Sequence, residues 1–291
     1  GLAGDALTTG SENVAVGYAA LSSEDAHGQN VAVGHNALAS LNAGANALNT
    51  AVGYFAGLNM TLGKFNTSLG SLSMGTGITT GDYNVGLGYK ALEVVTSGSH
   101  NIGLGTGAGG ALTTGGENVL LGINAGLAIV SANNNVAIGH EALKTNVDGD
   151  SNIAIGYESL KTLEPSDGHS YNVAIGHQSG KSITTGTFNT VLGGLAGDAL
   201  TTGTGNVALG HNALSDETTG GQNIAIGNNA MSSSQLSQHN IAIGQDALQN
   251  VTLASLNNSY NIGIGYSAGN DVTSGKKNIL IGGLAGALMT T

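Results

Sequence analysis

The sequence of 291 residues contains no cysteine, no tryptophan, no arginine and a single proline, and only 9% of its residues are charged. The absence of cysteine excludes a disulfide framework, a thiolate metal site and a cysteine nucleophile. With no arginine and a formal net charge of −11, the chain is expected to bind neither nucleic acid nor an anionic membrane surface. Its longest apolar stretches are far shorter than a membrane span, so no membrane insertion by this segment is predicted.

Glycine and repetition dominate the sequence instead. The 50 glycines follow no period of three and proline is nearly absent, which excludes a collagen triple helix. Low charge and abundant β-branched residues argue against disorder. A five-residue core, Asn-[Val/Ile/Thr]-x-[Val/Leu/Ile]-Gly, occurs sixteen times along the chain. Such a period is typical of solenoid proteins, in which each repeat forms one turn of a stack.

We number the repeat slots from the asparagine, which is slot 0. Eleven of the fifteen intervals between successive asparagines are 17 residues, and the others are 18, 19, 20 and 21 residues. Slot +4 is always glycine, and slot +7 is always alanine or serine. Stacking places the asparagines above one another, where their side chains are expected to form a hydrogen-bonded structural ladder. The ladder residues are Asn13, Asn30, Asn49, Asn66, Asn84, Asn101, Asn118, Asn135, Asn152, Asn172, Asn189, Asn206, Asn223, Asn240, Asn261 and Asn278.

Each core is predicted to be a short β-strand, because apolar residues at slots +1 and +3 share one face of an extended chain. We expect this face to be buried. Slot +2 is mostly Ala, Ser or Gly, so the opposite face is apolar too, and a strand that is apolar on both faces is buried on both. One turn covers only one face, so a second chain is expected to cover the other, and an axis lined by the small residues of slot +2 is one arrangement. Because both faces are apolar, the sequence leaves open which of them lines that axis.

These features predict an all-β parallel β-solenoid of about 16 coils of 17 residues. Glycine at slot +4 is expected to end the strand with a positive φ, and slots +7 and +8 to begin a second short strand. The repeat covers residues 1–291 as a single solenoid domain. Residues 1–10 are identical to residues 194–203, so we expect the chain to be cut in mid-repeat at both ends and to be a segment of something longer.

Two features of the repeat resemble known families. The copies NVAIGHEAL (135–143), NIAIGYESL (152–160) and NVALGHNAL (206–214) resemble the head repeats of trimeric autotransporter adhesins. The linker TTG-x-x-N, at residues 113–118 and 184–189, resembles the repeats of bacteriophage tail fibres even more closely. The resemblance implies a left-handed β-roll, a homotrimer and attachment at a surface. The implied location is extracellular, on a virion tail fibre or a bacterial cell surface, with a cell-surface receptor as partner.

All eight histidines fall in three slots. His35, His140, His177 and His211 lie at slot +5, His100 and His239 at slot −1, and His27 and His169 at slot −3. Because tyrosine or phenylalanine shares slots +5 and −1, we expect flat rings stacked turn on turn or facing a neighbouring chain. A metal bound by three histidines, one from each copy in a trimer, is the alternative. No catalytic residue, resident metal or cofactor is predicted.

Three function hypotheses follow. The first is the shaft or head of a homotrimeric viral tail fibre, and the second is the head of a bacterial trimeric adhesin. The third is an ice-binding solenoid, because Thr-Thr pairs recur at 184–185, 201–202 and 218–219. A pair of carboxylates at slot +6 of consecutive turns, Glu141 and Glu158, is considered as a glycan-cleaving site, and solvated surface charge is the preferred interpretation of that pair.

The longer repeats contain inserts at 38–48, 74–83, 160–171 and 248–260. Insertions in solenoids form outer loops, often on the binding face. The third insert contains the only proline, and it is predicted as a receptor-contact loop through Glu164, Pro165, Asp167 and His169. The alternative is that these inserts are extra loop residues that the solenoid tolerates without a binding role.

Overall fold

A computed structural model describes residues 1–165 and 168–290 and confirms an all-β parallel β-solenoid of about sixteen turns. The chain forms two compact units, Gly1–Asp148 and Gly149–Thr291, each with eight of the sixteen asparagines. The homotrimer and the handedness of the roll stay predictions.

The first unit is one parallel sheet with a strand in each turn. Its strands are β1 (Val14–Val16), β2 (Val31–Val33), β3 (Thr50–Val52), β4 (Thr67–Leu69), β5 (Val85–Leu87), β6 (Ile102–Leu104), β7 (Val119–Leu121) and β8 (Val136–Ile138). They pair in chain order, and every pair aligns the same slots. Val31 pairs with Thr50 although 19 residues separate them, so the two extra residues lie in the connection and the register is kept.

The second unit repeats this sheet and adds a smaller one. Its strands are β9 (Ile153–Ile155), β10 (Val173–Ile175), β11 (Thr190–Leu192), β12 (Val207–Leu209), β13 (Ile224–Ile226), β14 (Gln235–Gln238), β15 (Ile241–Ile243), β16 (Thr252–Asn258), β17 (Ile262–Ile264) and β18 (Ile279–Ile281). Strands β14 and β16 pair with each other in parallel, and the other eight form the main sheet in chain order. The insert at 248–260 thus builds strand β16.

The glycine at slot +4 follows each strand, as expected, and in most turns the backbone of the next turn leaves no room for a side chain there. Gly122 has a φ of +134°, a conformation that other residues rarely adopt. A Cβ atom built on Gly122 would lie 2.5 Å from the carbonyl oxygen of Gly139 in the next turn. Both the dihedral angle and the close approach of the backbones therefore require glycine.

The expectation of a second strand at slots +7 and +8 is wrong. In the turn after β8, Glu141 at slot +6 and Leu143 at slot +8 have φ values of 56° and 53°. The backbone alternates between left-handed and ordinary conformations there, so it forms turns instead of an extended strand. Neighbouring turns still bond through this region, since the amide of Leu92 donates to the carbonyl oxygen of Ala108 at 2.9 Å.

The structure decides the orientation of the strand faces, which the sequence left open. Slot +2 points into the solenoid, and Ala32 and Ala137 are fully buried there. The residues at slots +1 and +3 point outward and are half-buried or exposed. The interior is narrow, because leucine at slot +8 reaches across it: Leu92 Cγ lies 2.8 Å from where a Cβ on Gly103, at slot +2, would be. The small residues therefore line the chain's own core, not a contact with a second chain.

Compensation between slots +2 and +8 explains the exceptions to this rule. Large residues occupy slot +2 only at Leu120, Val191 and Leu280, and each has glycine at slot +8 in both its own turn and the preceding one. A Cβ on Gly109 would lie 2.8 Å from Leu120 Cδ1, and one on Gly126 would lie 2.7 Å from Leu120 Cδ2. The interior volume is thus filled by a large side chain at either slot +2 or slot +8.

Replacing Leu120 with alanine is expected to lower the free energy of unfolding by about 2–5 kcal/mol, because neither flanking glycine can fill the cavity. The matched control is Leu127→Ala at slot +9, where the side chain is half-buried and other turns carry lysine or serine. This control is expected to cost less than about 1.5 kcal/mol. Urea denaturation followed by circular dichroism measures the free energy of unfolding of both variants. An equal loss of stability in the two variants would contradict the packing of Leu120 in the interior.

Candidate functional site

The outward face of each main sheet carries the odd slots −1, +1, +3 and +5. Aliphatic side chains at slot +3 keep much of their surface in solvent: the exposed fraction is 45% for Leu104 and 43% for Leu209. Because the strands pair in register, the same apolar row recurs at every turn. Each unit therefore presents a regular apolar surface, which we call the outward face.

Two columns of stacked rings flank the aliphatic rows. At slot +5, the His35 ring stacks on Tyr18 and Tyr54 with centroid distances of 5.2 and 5.3 Å. At slot −1, the Tyr83 ring stacks on Phe65 at 4.7 Å and on His100 at 5.0 Å. The predicted stacking from turn to turn is confirmed for these rings. They keep about half of their surface exposed, as at Tyr18 (55%) and Tyr83 (49%).

Charge is absent from most of this face. None of the sixteen turns places Asp, Glu, Lys or Arg at slot +1, +3 or +5, although the chain carries 18 acidic residues and 7 lysines. The charged residues thus lie in other slots. Exposed apolar patches that exclude charge mark surfaces that other macromolecules cover. The sequence left open which strand face lies outside, so slots +1 and +3 were not part of the predicted site. The absence of charge at these slots was the signal that could have identified them.

The asparagines at slot 0 form a hydrogen-bonded ladder inside each unit. From Asn30 to Asn135, each amide N–H donates to Oδ1 of the asparagine one turn earlier, over 2.8–3.1 Å. From Asn172 to Asn278 the same bond spans 2.9–3.1 Å. Fourteen of the sixteen asparagines are buried, and Asn13 and Asn278 are half-buried. Their role in the structure is therefore to satisfy backbone groups of the interior.

The residues of the predicted receptor-contact loop have different environments. Glu164 is exposed, and its amide donates to the carbonyl oxygen of Thr184 at 2.8 Å. His169 is also exposed, with Nδ1 3.6 Å from Asp150 Oδ2. Pro165 is buried, so it packs against the chain itself, and Asp167 lies outside the described residues. A receptor-contact role for this loop stays a prediction.

The carboxylates considered for glycan cleavage are held by lysines. Glu141 Oε1 lies 2.7 Å from Lys144 Nζ. Glu158 is bonded to Lys161 Nζ at 2.7 Å and to Lys181 Nζ at 2.8 Å. The bonds from Lys161, Lys181 and Gln178 hold the pKa of Glu158 far below its usual range. A general acid needs the opposite shift, so Glu158 is suited to an ion pair and not to proton donation.

In two of the three threonine pairs considered for ice binding, the hydroxyl of the first threonine donates a hydrogen bond within the chain. Thr184 Oγ1 donates to the carbonyl oxygen of Thr201 at 3.2 Å, and Thr201 Oγ1 donates to that of Thr218 at 3.0 Å. These bonds run along the stack and reinforce the adjacent backbone contacts. Thr184 and Thr201, the first residues of two of the three pairs, thus direct their hydroxyl protons to the protein and not to water.

Comparisons with known proteins give no family for the chain. No protein-family model matches it, and no curated protein sequence matches it significantly. Among the described residues, no helix has the length and apolar character that crossing a bilayer requires. The architecture of the outward face is therefore the main guide to function.

Proposed function

We propose that the chain is a structural attachment module, the shaft or head of a homotrimeric fibre whose copies associate through the outward face. The observation that carries the proposal is a solvent-exposed apolar face without charge at slots +1, +3 and +5. A partner that covers this face must match its rows of side chains turn for turn. A second copy of the chain has the same spacing, so it fits along the whole length of the face.

Burial of the outward face offsets part of the cost of association. Full burial of a leucine or isoleucine stabilises by about 1.5–3 kcal/mol. A side chain at slot +3 with 40–45% of its surface exposed, such as Leu69 or Leu104, therefore has roughly 0.6–1.3 kcal/mol still to gain. Four turns in each unit have an exposed slot +3 side chain, and together these side chains offset part of the cost of association, which is about 4–15 kcal/mol.

The number of copies and the biological setting come from the resemblance described above. Trimeric phage tail fibres and trimeric adhesin heads share the repeat, and the TTG-x-x-N linker favours the viral fibre. An extracellular location, on a virion or a bacterial surface, and a cell-surface receptor belong to this proposal. The ice-binding alternative gains no support from the threonine hydroxyls, which bond within the chain.

Light scattering at several concentrations tests the association. We expect a mass of three chains, each of 28.5 kDa, that does not change with dilution. The double variant Ile175→Lys and Leu209→Lys places charge on the outward face two turns apart and is expected to reduce the mass to one chain, because burying unpaired lysines is costly.

The matched control is Ser215→Lys with Gln249→Lys, which adds the same charge at slot +9, where Lys144 and Lys181 occur naturally. We expect this control to keep the mass of the parent chain. A parent chain of 28.5 kDa at every concentration would refute the proposal. So would an unchanged mass for the outward-face variant.

A further inference from the structure

Two glutamates occupy an interior slot that is otherwise mostly aliphatic. Slot +11 carries residues such as Leu41, Leu112 and Ile129, which are fully buried. In two turns the residue is Glu24 or Glu217, and both glutamates are also fully buried. A buried carboxylate is costly unless hydrogen bonds or a cation satisfy it, so each needs an explanation.

Hydrogen bonds explain why Glu217 can be buried. Its Oε1 accepts bonds from the backbone N–H groups of Thr218, Thr219, Gly220 and Leu236 at 2.7–3.3 Å. Its Oε2 accepts bonds from the N–H and the hydroxyl of Ser237 at 3.0 and 3.1 Å. Six donors thus surround the two oxygens, and the charge needs no cation.

Hydrogen bonds do not fully satisfy the carboxylate of Glu24. Its Oε1 lies 3.2 Å from both the backbone nitrogen and Nδ1 of His27. Its Oε2 is buried without a hydrogen-bond partner. Asp25 follows directly and adds a second carboxylate, and ligand atoms of Glu24, Asp25 and His27 all lie within 4.8 Å of one another. The cluster therefore contains two carboxylates and one imidazole. One oxygen of the buried carboxylate, Glu24 Oε2, has no hydrogen-bond partner.

We infer that Glu24, Asp25 and His27 form a binding site for one divalent transition-metal ion of the Zn²⁺ class. Imidazole and carboxylate donors together suit Zn²⁺ better than Mg²⁺ or Ca²⁺, which prefer oxygen ligands alone. Tetrahedral bonds of 2.0–2.2 Å place two ligand atoms roughly 3.4 Å apart. The 3.2 Å between Glu24 Oε1 and His27 Nδ1 is compatible with this spacing.

The arrangement also gives the ion a route to the site. Asp25 is exposed and His27 is half-exposed, whereas Glu24 forms the buried end of the cluster. Water completes the coordination on the exposed side. Among residues 1–165 and 168–290, this is the one group of three such ligands that the structure brings together.

Isothermal titration of the full chain with ZnCl₂ tests the inference. We expect one ion per chain and at least a 100-fold loss of affinity in His27→Ala. Glu24→Leu restores the aliphatic residue of the slot, so it is expected to fold and to bind no Zn²⁺ at this site. The control His169→Ala removes the other histidine at slot −3, which is exposed, and is expected to bind as the parent does.

Thermal denaturation distinguishes a metal site from the alternative, in which Glu24 is an unfavourable buried carboxylate that binds no metal. In EDTA, Glu24→Leu is expected to melt at a higher temperature than the parent, because the unsatisfied carboxylate is gone. Saturating Zn²⁺ is expected to raise the melting temperature of the parent and to leave that of Glu24→Leu unchanged. Absence of Zn²⁺ binding by the parent, or equal binding by Glu24→Leu, would overturn the inference. Both results are independent of the oligomeric state.

Discussion

Replacing Gly193 with alanine is expected to destabilise the second unit by more than about 4 kcal/mol, whereas replacing its neighbour Gly194 is expected to change stability by less than about 1 kcal/mol. The two variants add the same methyl group at adjacent positions. They differ in the backbone conformation and in what the new Cβ atom meets.

Gly193 occupies slot +4 after strand β11 and has a φ of +137°. A Cβ atom there would lie 2.4 Å from the carbonyl oxygen of Gly210 and 2.6 Å from its carbonyl carbon. Relief requires the two turns to separate, and separation breaks the backbone bonds between them. Conformational strain alone costs about 1–3 kcal/mol, and the lost contacts add to it.

Gly194 has no left-handed φ, and a Cβ atom on it would meet only the His211 ring, at 3.6 Å. Alanine fits there, and it reduces the freedom of the unfolded chain. Urea denaturation of the two variants and the parent measures the difference. Similar stability of the two variants would show that the glycine column is not the reason that the turns stack so closely.

Replacing Asn189 with alanine is the second large expected effect, a loss of roughly 3–5 kcal/mol from several buried groups left without partners. Asn189 Nδ2 donates to the carbonyl oxygen of Gly203 at 2.8 Å. Its Oδ1 accepts bonds from the amide and from Nδ2 of Asn206 at 3.0 and 3.1 Å. Alanine removes both functions and leaves the buried carbonyl of Gly203 and the amide of Asn206 without these partners.

The control is Asn228→Ala, which removes an exposed asparagine at slot +5 of a later turn. It is expected to change the free energy of unfolding by less than about 0.5 kcal/mol. Amide hydrogen exchange gives a local measurement as well: in Asn189→Ala, the amide of Asn206 is expected to exchange faster than in the parent. Equal stability of the two variants would contradict the role assigned to the ladder.

The repeat pattern predicted much of the fold because a solenoid brings equal slots together. Once Asn189 and Asn206 are known to be 17 residues apart in the same pattern, stacking places them in contact. The same logic located the strands, their parallel register and the glycine column. It also predicted the stacked rings at His35 and Tyr83 from the exchange of histidine and tyrosine.

The sequence left the orientation of the faces open because both faces are apolar. Val and Ile at slots +1 and +3 suggested a core, yet the interior is too narrow for them when slot +8 carries leucine. The glycines beside Leu120, Val191 and Leu280 already contained this information, since a large residue at slot +2 is matched by Gly at slot +8. The turns at slots +6 and +8 carried no such signal, because a left-handed leucine such as Leu143 is locally unfavourable and is imposed by the stack.

The sequence by itself therefore determined the number of turns, the strand in each turn, their register and the ladder, because these depend on the repeat period. Only the tertiary structure decided which face meets solvent, because that depends on the width of the interior. It also distinguished Glu24 from Glu217, which share one slot and one residue type. Six donors surround Glu217, whereas Glu24 keeps a buried oxygen without a partner, because the connections around the two residues fold differently.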